Sequence, residues 1–245
     1  MRADAAWMTT RLFLEDSQSP GMTATVVAVL PAGIVLDQTA FYARSGGQPG
    51  DGGTLSWGGQ SCAVTEAIKG EDDAILHVPD ALSVLPAVGD VVTGELDWPR
   101  RHRLMRMHTA LHLLCACLPG VSVTGGSIGE LKSRLDLDIA EPPSREALEE
   151  KLGALIAGDY PVVAYWVDES ILDTNPTLVR TLSVQPPRGT GRLRLVRIGS
   201  EDEPVDLQPC GGTHVARTGE IGPVKIVKIE NKGRQNRRIS LEFAP

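Results

Sequence analysis

The chain has 245 residues, of which 42% are hydrophobic and 22% charged. This ordinary globular composition excludes a disordered, collagenous or coiled-coil chain, and set against a typical domain of about 150 residues it allows one large domain or two modest ones. A net charge of −7 and a pI near 5.3 exclude a generally basic nucleic-acid binder. Twenty-six glycines and 17 prolines beside only 3 phenylalanines predict many turns and a core of Val, Leu, Ile and Ala.

In chain order, the first segment has no signal-peptide core around Asp4, Arg11 and Glu15. Short β-branched or alternating runs at 23–30, 33–37, 53–57, 61–69, 74–78 and 91–98, punctuated by Gly and Pro, predict five or six strands closing into a small β-barrel. After Trp98-Pro99 the pattern changes to an arginine-rich stretch and a helix over 102–118, stopped by Pro119-Gly120. This places the boundary between a barrel domain, 1–98, and a second domain, 99–245. Beyond it we expect strands at 121–128, 133–139 and 162–168, and an amphipathic helix over 144–157 with Ser144 as N-cap. A weaker helical pattern covers 175–182, and strands follow at 191–198, 224–230 and 237–243. The fold class is α+β, a small N-terminal β-barrel followed by an α+β sheet with helices on one side. No apolar run reaches the roughly 18 residues of a membrane helix, so no membrane partner is expected. Four scattered cysteines do not form a disulfide framework, so a cytoplasmic chain with reduced thiols is expected, Cys62, Cys115 and Cys117 serving as small buried apolar residues.

Charge is unevenly distributed. Residues 208–245 hold seven Lys/Arg against three acids, and Arg100, Arg101, Arg103 and Arg106 form a second basic run with no acid between them. Such patches on an acidic body can hold a phosphate backbone locally. For the stretch Lys232 to Arg238 the bland alternative is a charged strand edge that discourages aggregation.

The chemistry concentrates in two short motifs. On the helix, His108 and His112 are spaced i, i+4, which stacks both imidazoles on one side, along the edge of an apolar stripe of Leu104, Leu111, Cys115 and Leu118. About a hundred residues later, Pro209-Cys210-Gly211-Gly212-Thr213-His214 brings a thiol and an imidazole together around two glycines. Either pair alone is compatible with a surface or half-buried pair. Together, His108, His112, Cys210 and His214 make a complete tetrahedral donor set suited to Zn²⁺, in a chain with only five histidines and four cysteines. His77 and His102 are left as bystanders.

The run from Trp98 to Leu114, and Pro209-Cys210-Gly211-Gly212-Thr213-His214 with its continuation Thr218-Gly219-Glu220-Ile221-Gly222, resemble the editing domain of alanyl-tRNA synthetase and its freestanding relatives, the AlaX alanyl-tRNA editing proteins. The stretch Phe41 to Gly53 resembles the glycine-rich motif of the larger freestanding forms, which carry an N-terminal β-barrel, so the resemblance covers most of residues 9–245. One departure is Ser45 before Gly46-Gly47, where three glycines are more common.

The resemblance implies a zinc site at His108, His112, Cys210 and His214, and hydrolysis of the ester joining serine or glycine to alanine tRNA. It also implies that Thr124 faces the amino acid; a plain strand threonine is the alternative. Gly46 and Gly47 become candidate substrate contacts or merely part of a hairpin-rich loop. Arg101, Lys232, Arg237 and Arg238 become candidate tRNA contacts. Aminoacylation and ATP binding are not expected, since no Gly-x-x-x-x-Gly-Lys loop is present. If four protein ligands bind the metal at once no position is left for water, so a non-catalytic tRNA-binding module with structural zinc is the rival reading. A zinc hydrolase of small esters or amides is a third.

Overall fold

The structure is a computed structural model that describes residues 7–182, 185–186 and 188–244. Residues 1–6, Ser183, Val184, Pro187 and Pro245, which include Asp4 and the outer ends of both expected domains, lie outside the described residues. The chain divides into two compact units, Met1–His102 and Arg103–Pro245. The division falls a few residues beyond the expected boundary.

In the first unit, β1 (Thr10–Arg11) and α1 (Leu12–Glu15) lead into β2 (Gly21–Leu30), β3 (Gly33–Leu36), β4 (Gln38–Thr39), β5 (Gly53–Trp57), β6 (Gln60–Lys69), β7 (Ile75–Pro79) and β8 (Val91–Leu96). Six of these close a barrel in the order β2-β3-β7-β6-β5-β8, every pair antiparallel. The period-2 pattern explains the closure: in β8, Val92, Gly94 and Leu96 point inward while Val91, Thr93 and Glu95 point out. The barrel core gathers Ile34, Leu36, Phe41, Leu55, Val64, Ile75 and Val92. The short parallel pair β1–β4 was not expected from the sequence.

Helix α2 (Trp98–Cys117) starts four residues before the expected position. Asp97 is the reason: its Oδ1 accepts the Arg100 N–H at 3.0 Å and its carbonyl accepts the Arg101 N–H at 2.9 Å, so Pro99 sits in the first turn, where its missing donor costs nothing. The expected one-sided apolar stripe is also corrected. From Met107 to Cys115 every residue is buried, so this stretch of α2 is enclosed all round and both histidines lie inside.

The second unit is α+β, built on two sheets where the sequence suggested one. β9 (Ser122–Ser127), β10 (Lys132–Asp138), β14 (Val224–Gly233) and β15 (Asn236–Phe243) form an antiparallel sheet in the order β14-β15-β10-β9. α3 (Arg145–Ala157) buries Leu148, Leu152 and Ile156, and its Glu149 accepts the Ile226 N–H of β14 at 2.6 Å. Ser144 caps it as expected, accepting from the Ala147 N–H at 3.2 Å. β11 (Val162–Asp168), β12 (Arg192–Gly199) and β13 (Pro204–Pro209) form the other sheet. The helix expected over 175–182 is instead α4 (Ile171–Thr174) and a 3₁₀ turn at Pro176–Leu178, because Pro176 cannot continue the helix before it. From Val179 the chain is extended, and Thr181 bridges Val123 of β9.

Candidate metal centre

Two segments of the second unit converge on one point. α2 contributes His108 and His112 one turn apart, and the loop after β13 contributes Cys210 and His214. The four donor atoms all lie within 4.8 Å of one another. Cys210 Sγ stands 3.6 Å from His108 Nε2 and 3.3 Å from His214 Nε2. A tetrahedral zinc with Zn–N bonds of about 2.0–2.1 Å and a Zn–S bond of about 2.3 Å requires S···N edges of about 3.6 Å, so the donor set fits that ion in chemistry and these two S···N spacings fit it in size.

Hydrogen bonds on the far sides of the rings decide which nitrogen faces the centre. The Thr109 hydroxyl donates to the Met105 carbonyl at 2.9 Å and therefore accepts from His214 Nδ1 at 3.1 Å, leaving Nε2 to turn inward. His112 Nδ1 donates to Asp206 Oδ2 at 3.0 Å, and the Gln208 amide donates to the same oxygen at 2.8 Å. This fixes the His112 tautomer in the manner of a metal-ligating imidazole backed by a carboxylate. Gly212 N–H donates to Cys210 Sγ at 3.4 Å, and Arg194 donates to the Cys210 carbonyl at 2.7 Å and the Gly212 carbonyl at 3.1 Å, holding the loop in its turn.

The electrostatics follow from this crowding. Burial raises the Cys210 thiol, but His108 and His214 beside it outweigh burial and hold it well below its usual range. Burial lowers His112, yet its bond to Asp206 and the adjacent Cys210 carry it up to about 9. His214 is driven well below its usual value by burial and by His108. A thiolate surrounded by imidazoles, one backed by a buried carboxylate, is a ready cation site.

Thr124, on β9, has a buried hydroxyl with no hydrogen-bond partner among the described residues. Gly46 and Gly47 belong to the barrel unit. They form a two-residue turn with φ of 56° and 82°, closed by Ser45 N–H to Gln48 O at 3.1 Å and Gln48 N–H to Ser45 O at 2.9 Å. Only those two positions need positive φ, so Ser45 replaces a glycine without strain. Gly50 is required for another reason, since a Cβ there would lie 1.9 Å from the Ala67 carbonyl oxygen.

The expectation for Arg101 is corrected. Its side chain is 1% exposed and forms a buried ion pair with Asp51, also donating to the Ala40 carbonyl at 2.7 Å, so it presents nothing to a nucleic acid. Its neighbours are also engaged: Arg100 with the Gly50 carbonyl at 2.8 Å, Arg103 with Glu130 at 2.7 Å, and Arg106 with the Ile221 carbonyl at 2.8 Å. The run that reads as a basic patch is a set of intramolecular ties. In the C-terminal patch, Lys232 lies 3.6 Å from Glu230, Arg237 bonds Asn231 at 3.1 Å, and Arg238 pairs with Asp136 at 2.7 Å; all three remain partly exposed. His77 is buried within the barrel and His102 stacks on Trp98, neither in the cluster. Sequence reasoning missed Thr109, Asp206, Gln208 and Arg194; a hydroxyl next to His108 and the Asp-x-Gln pair before Cys210 were the available signals.

Comparison with known proteins connects this cluster to a class. The family described as the threonyl and alanyl tRNA synthetase second additional domain matches residues 193–240, which contain Cys210 and His214, and the class II (A) tRNA synthetase family matches residues 10–100, the barrel. Alanyl-tRNA editing protein AlaX-M of Saccharolobus solfataricus is 33% identical over 97% of this chain and 100% of its own length. The AlaX-M of Methanosarcina barkeri is 36% identical over 95% of this chain and 98% of its own. Alanine–tRNA ligase of Pyrobaculum calidifontis is 35% identical over 91% of this chain, which spans only 25% of that enzyme. The chain belongs to the AlaX-M family of alanyl-tRNA editing proteins.

Proposed function

We propose that this protein is a zinc-dependent hydrolase that removes serine or glycine from mischarged alanine tRNA, acting in trans in the cytoplasm. The observation that carries the reading is the cluster of His108, His112, Cys210 and His214, whose S···N spacings match the edges of a zinc tetrahedron, in a chain of a family named for alanyl-tRNA editing. In the reaction the oxygen of water bonds to the ester carbonyl carbon, the bond to the ribose oxygen breaks, and a proton from the water ends on the ribose hydroxyl. A zinc ion held by His108, His112, Cys210 and His214 would supply positive charge that polarises the ester carbonyl. Thr124 offers a buried, unpartnered hydroxyl that a serine side chain can satisfy and an alanine methyl cannot. Lys232, Arg237 and Arg238 lie partly exposed on the C-terminal strands and are the candidate phosphate contacts; Gly46 and Gly47 remain candidate contacts in the barrel unit.

Four protein donors complete a tetrahedron, and this specific feature favours a second reading, a non-catalytic tRNA-binding module with structural zinc. Release of labelled serine and glycine from misacylated alanine tRNA separates the two, with alanine-charged tRNA as control, before and after chelation and zinc restoration. We expect chelator-sensitive hydrolysis of the mischarged esters, sparing of the correct one, and a loss of at least about 100-fold for His108→Ala. Bound zinc and tRNA without hydrolysis would establish the second reading instead.

A further inference from the structure

The two oxygens of Asp206, whose side chain is fully enclosed, face different partners. Oδ2 accepts from His112 Nδ1 and the Gln208 amide. Oδ1 makes no hydrogen bond and faces Arg180 Nη2 at 3.6 Å. The other guanidinium nitrogen of Arg180, Nη1, donates at 2.8 Å to the Cys115 carbonyl, three residues beyond His112 on α2. The backbone of Arg180 is tied to the neighbour of Thr124: its carbonyl accepts the Val123 N–H at 2.8 Å, and Val123 O accepts from Leu182 N–H at 2.8 Å. One residue therefore touches the helix that carries two candidate ligands, the carboxylate behind one of them, and the strand that carries the unpartnered hydroxyl.

We infer that Arg180 is a positioning residue of the metal centre, holding Asp206 and through it the His112 ring, and registering that ring against the β9 strand bearing Thr124. The inference rests on the zinc reading above. Without Arg180, Asp206 is a buried carboxylate with one oxygen facing no cation, and it relaxes toward whatever donor or water can reach it. The His112 ring then loses its fixed direction. Partners behind ligand histidines matter on this scale, since removing them costs roughly 10–100-fold in metal affinity.

The test uses the full chain and zinc affinity, measured by competition with a chromophoric chelator, for wild type, Arg180→Met, Asp206→Ala and the double variant. Each single substitution should weaken zinc binding about 10-fold or more, the double variant should bind no more weakly than Asp206→Ala alone, and Arg180→Lys should recover part of the loss. With zinc saturating, Arg180→Met should lower kcat for the seryl ester more than it raises KM, a split that loss of folding stability alone does not produce. Wild-type zinc affinity in Arg180→Met, or effects that multiply independently with Asp206→Ala, would overturn the inference, whatever happens to the melting temperature. Should Arg180→Met fail to fold, Arg180→Lys and Arg180→Gln carry the same cycle. If wild type binds zinc and deacylates while the cycle shows no coupling, only this inference falls; if wild type takes no zinc, both it and the proposed function fall.

Discussion

The two units treat buried polar groups in opposite ways. In the barrel, the buried polar side chains satisfy one another: His77 Nδ1–H donates to the Ile34 carbonyl at 3.0 Å, Thr39 donates to His77 Nε2 at 2.7 Å, and Thr39 Oγ1 accepts the Phe41 N–H at 3.1 Å. Arg101 and Asp51 neutralise each other nearby. In the second unit lie all of the buried side-chain atoms that lack a hydrogen-bond partner among the described residues, at Thr124, Arg197, Asp206 and Asn236. Two buried histidines go opposite ways: His77 is pushed down to about 4 by burial, and His112 is carried up to about 9 against burial by Asp206 and Cys210. A closed polar network specifies a fold, whereas donors gathered around a point and a buried hydroxyl left without a partner, as at Thr124, are what a site for a cation and a ligand requires.

The sharpest way to break this comparison is to open the barrel's ion pair. Asp51→Ala leaves Arg101 as a buried cation without its carboxylate and removes the acceptor that holds the Tyr42 N–H at 2.7 Å. A loss of about 3–5 kcal/mol in the stability of the barrel unit is expected, read by calorimetry or by hydrogen exchange of the β2–β8 amides. Replacing both partners with apolar residues of similar volume should recover much of it. A small loss for Asp51→Ala would show that water reaches the pair and that the barrel's buried polar network is not closed to solvent.

This ion pair also shows where the sequence was and was not legible. The strands could be read because alternation and Gly/Pro punctuation are local; the run at 53–57 in the barrel and the run at 162–168 in the second unit are strands with those bounds. The convergence of His108, His112, Cys210 and His214 could be anticipated because each half-motif is compact and the donor types are rare in this chain. Arg101 was misread because its partner is 50 residues away, and four neighbouring arginines look like a patch until their separate acceptors are known. β13 was missed because Pro204 and Pro209 bracket it and an acidic stretch precedes it, and with it went Asp206 and Gln208, the residues behind His112. The second unit's two sheets could not be distinguished from one because strand pairing is decided by contacts far apart in the chain.

A second, somewhat smaller effect concerns pH. His77 holds its proton in the folded state only below about 4, against an ordinary value of 6.5, so the unfolded chain binds the extra proton between those values. Stability from this group is fully present above pH 6.5 and is lost as pH falls toward 4, by about 3 kcal/mol over the window. His77→Gln should flatten that part of the profile in the barrel's unfolding transition. An unchanged slope would mean that other groups carry the acid sensitivity and that the His77 network is looser than its hydrogen bonds imply.

The smallest effect separates the units most cleanly, because one substitution made twice should act with opposite consequences. Thr39→Val in the barrel keeps the shape but leaves His77 Nε2 and the Phe41 N–H unpaired, and should destabilise by about 1–3 kcal/mol. Thr124→Val removes a buried hydroxyl that has no partner to lose, so the same measurement should show no loss or a gain of up to about 1 kcal/mol. Its cost should appear in function instead, as weaker preference for the seryl over the alanyl ester, with zinc affinity unchanged because the four donors and Asp206 are untouched. If Thr124→Val destabilised as much as Thr39→Val, the Thr124 hydroxyl would have a structural partner, and the second unit would be closed in the way the barrel is.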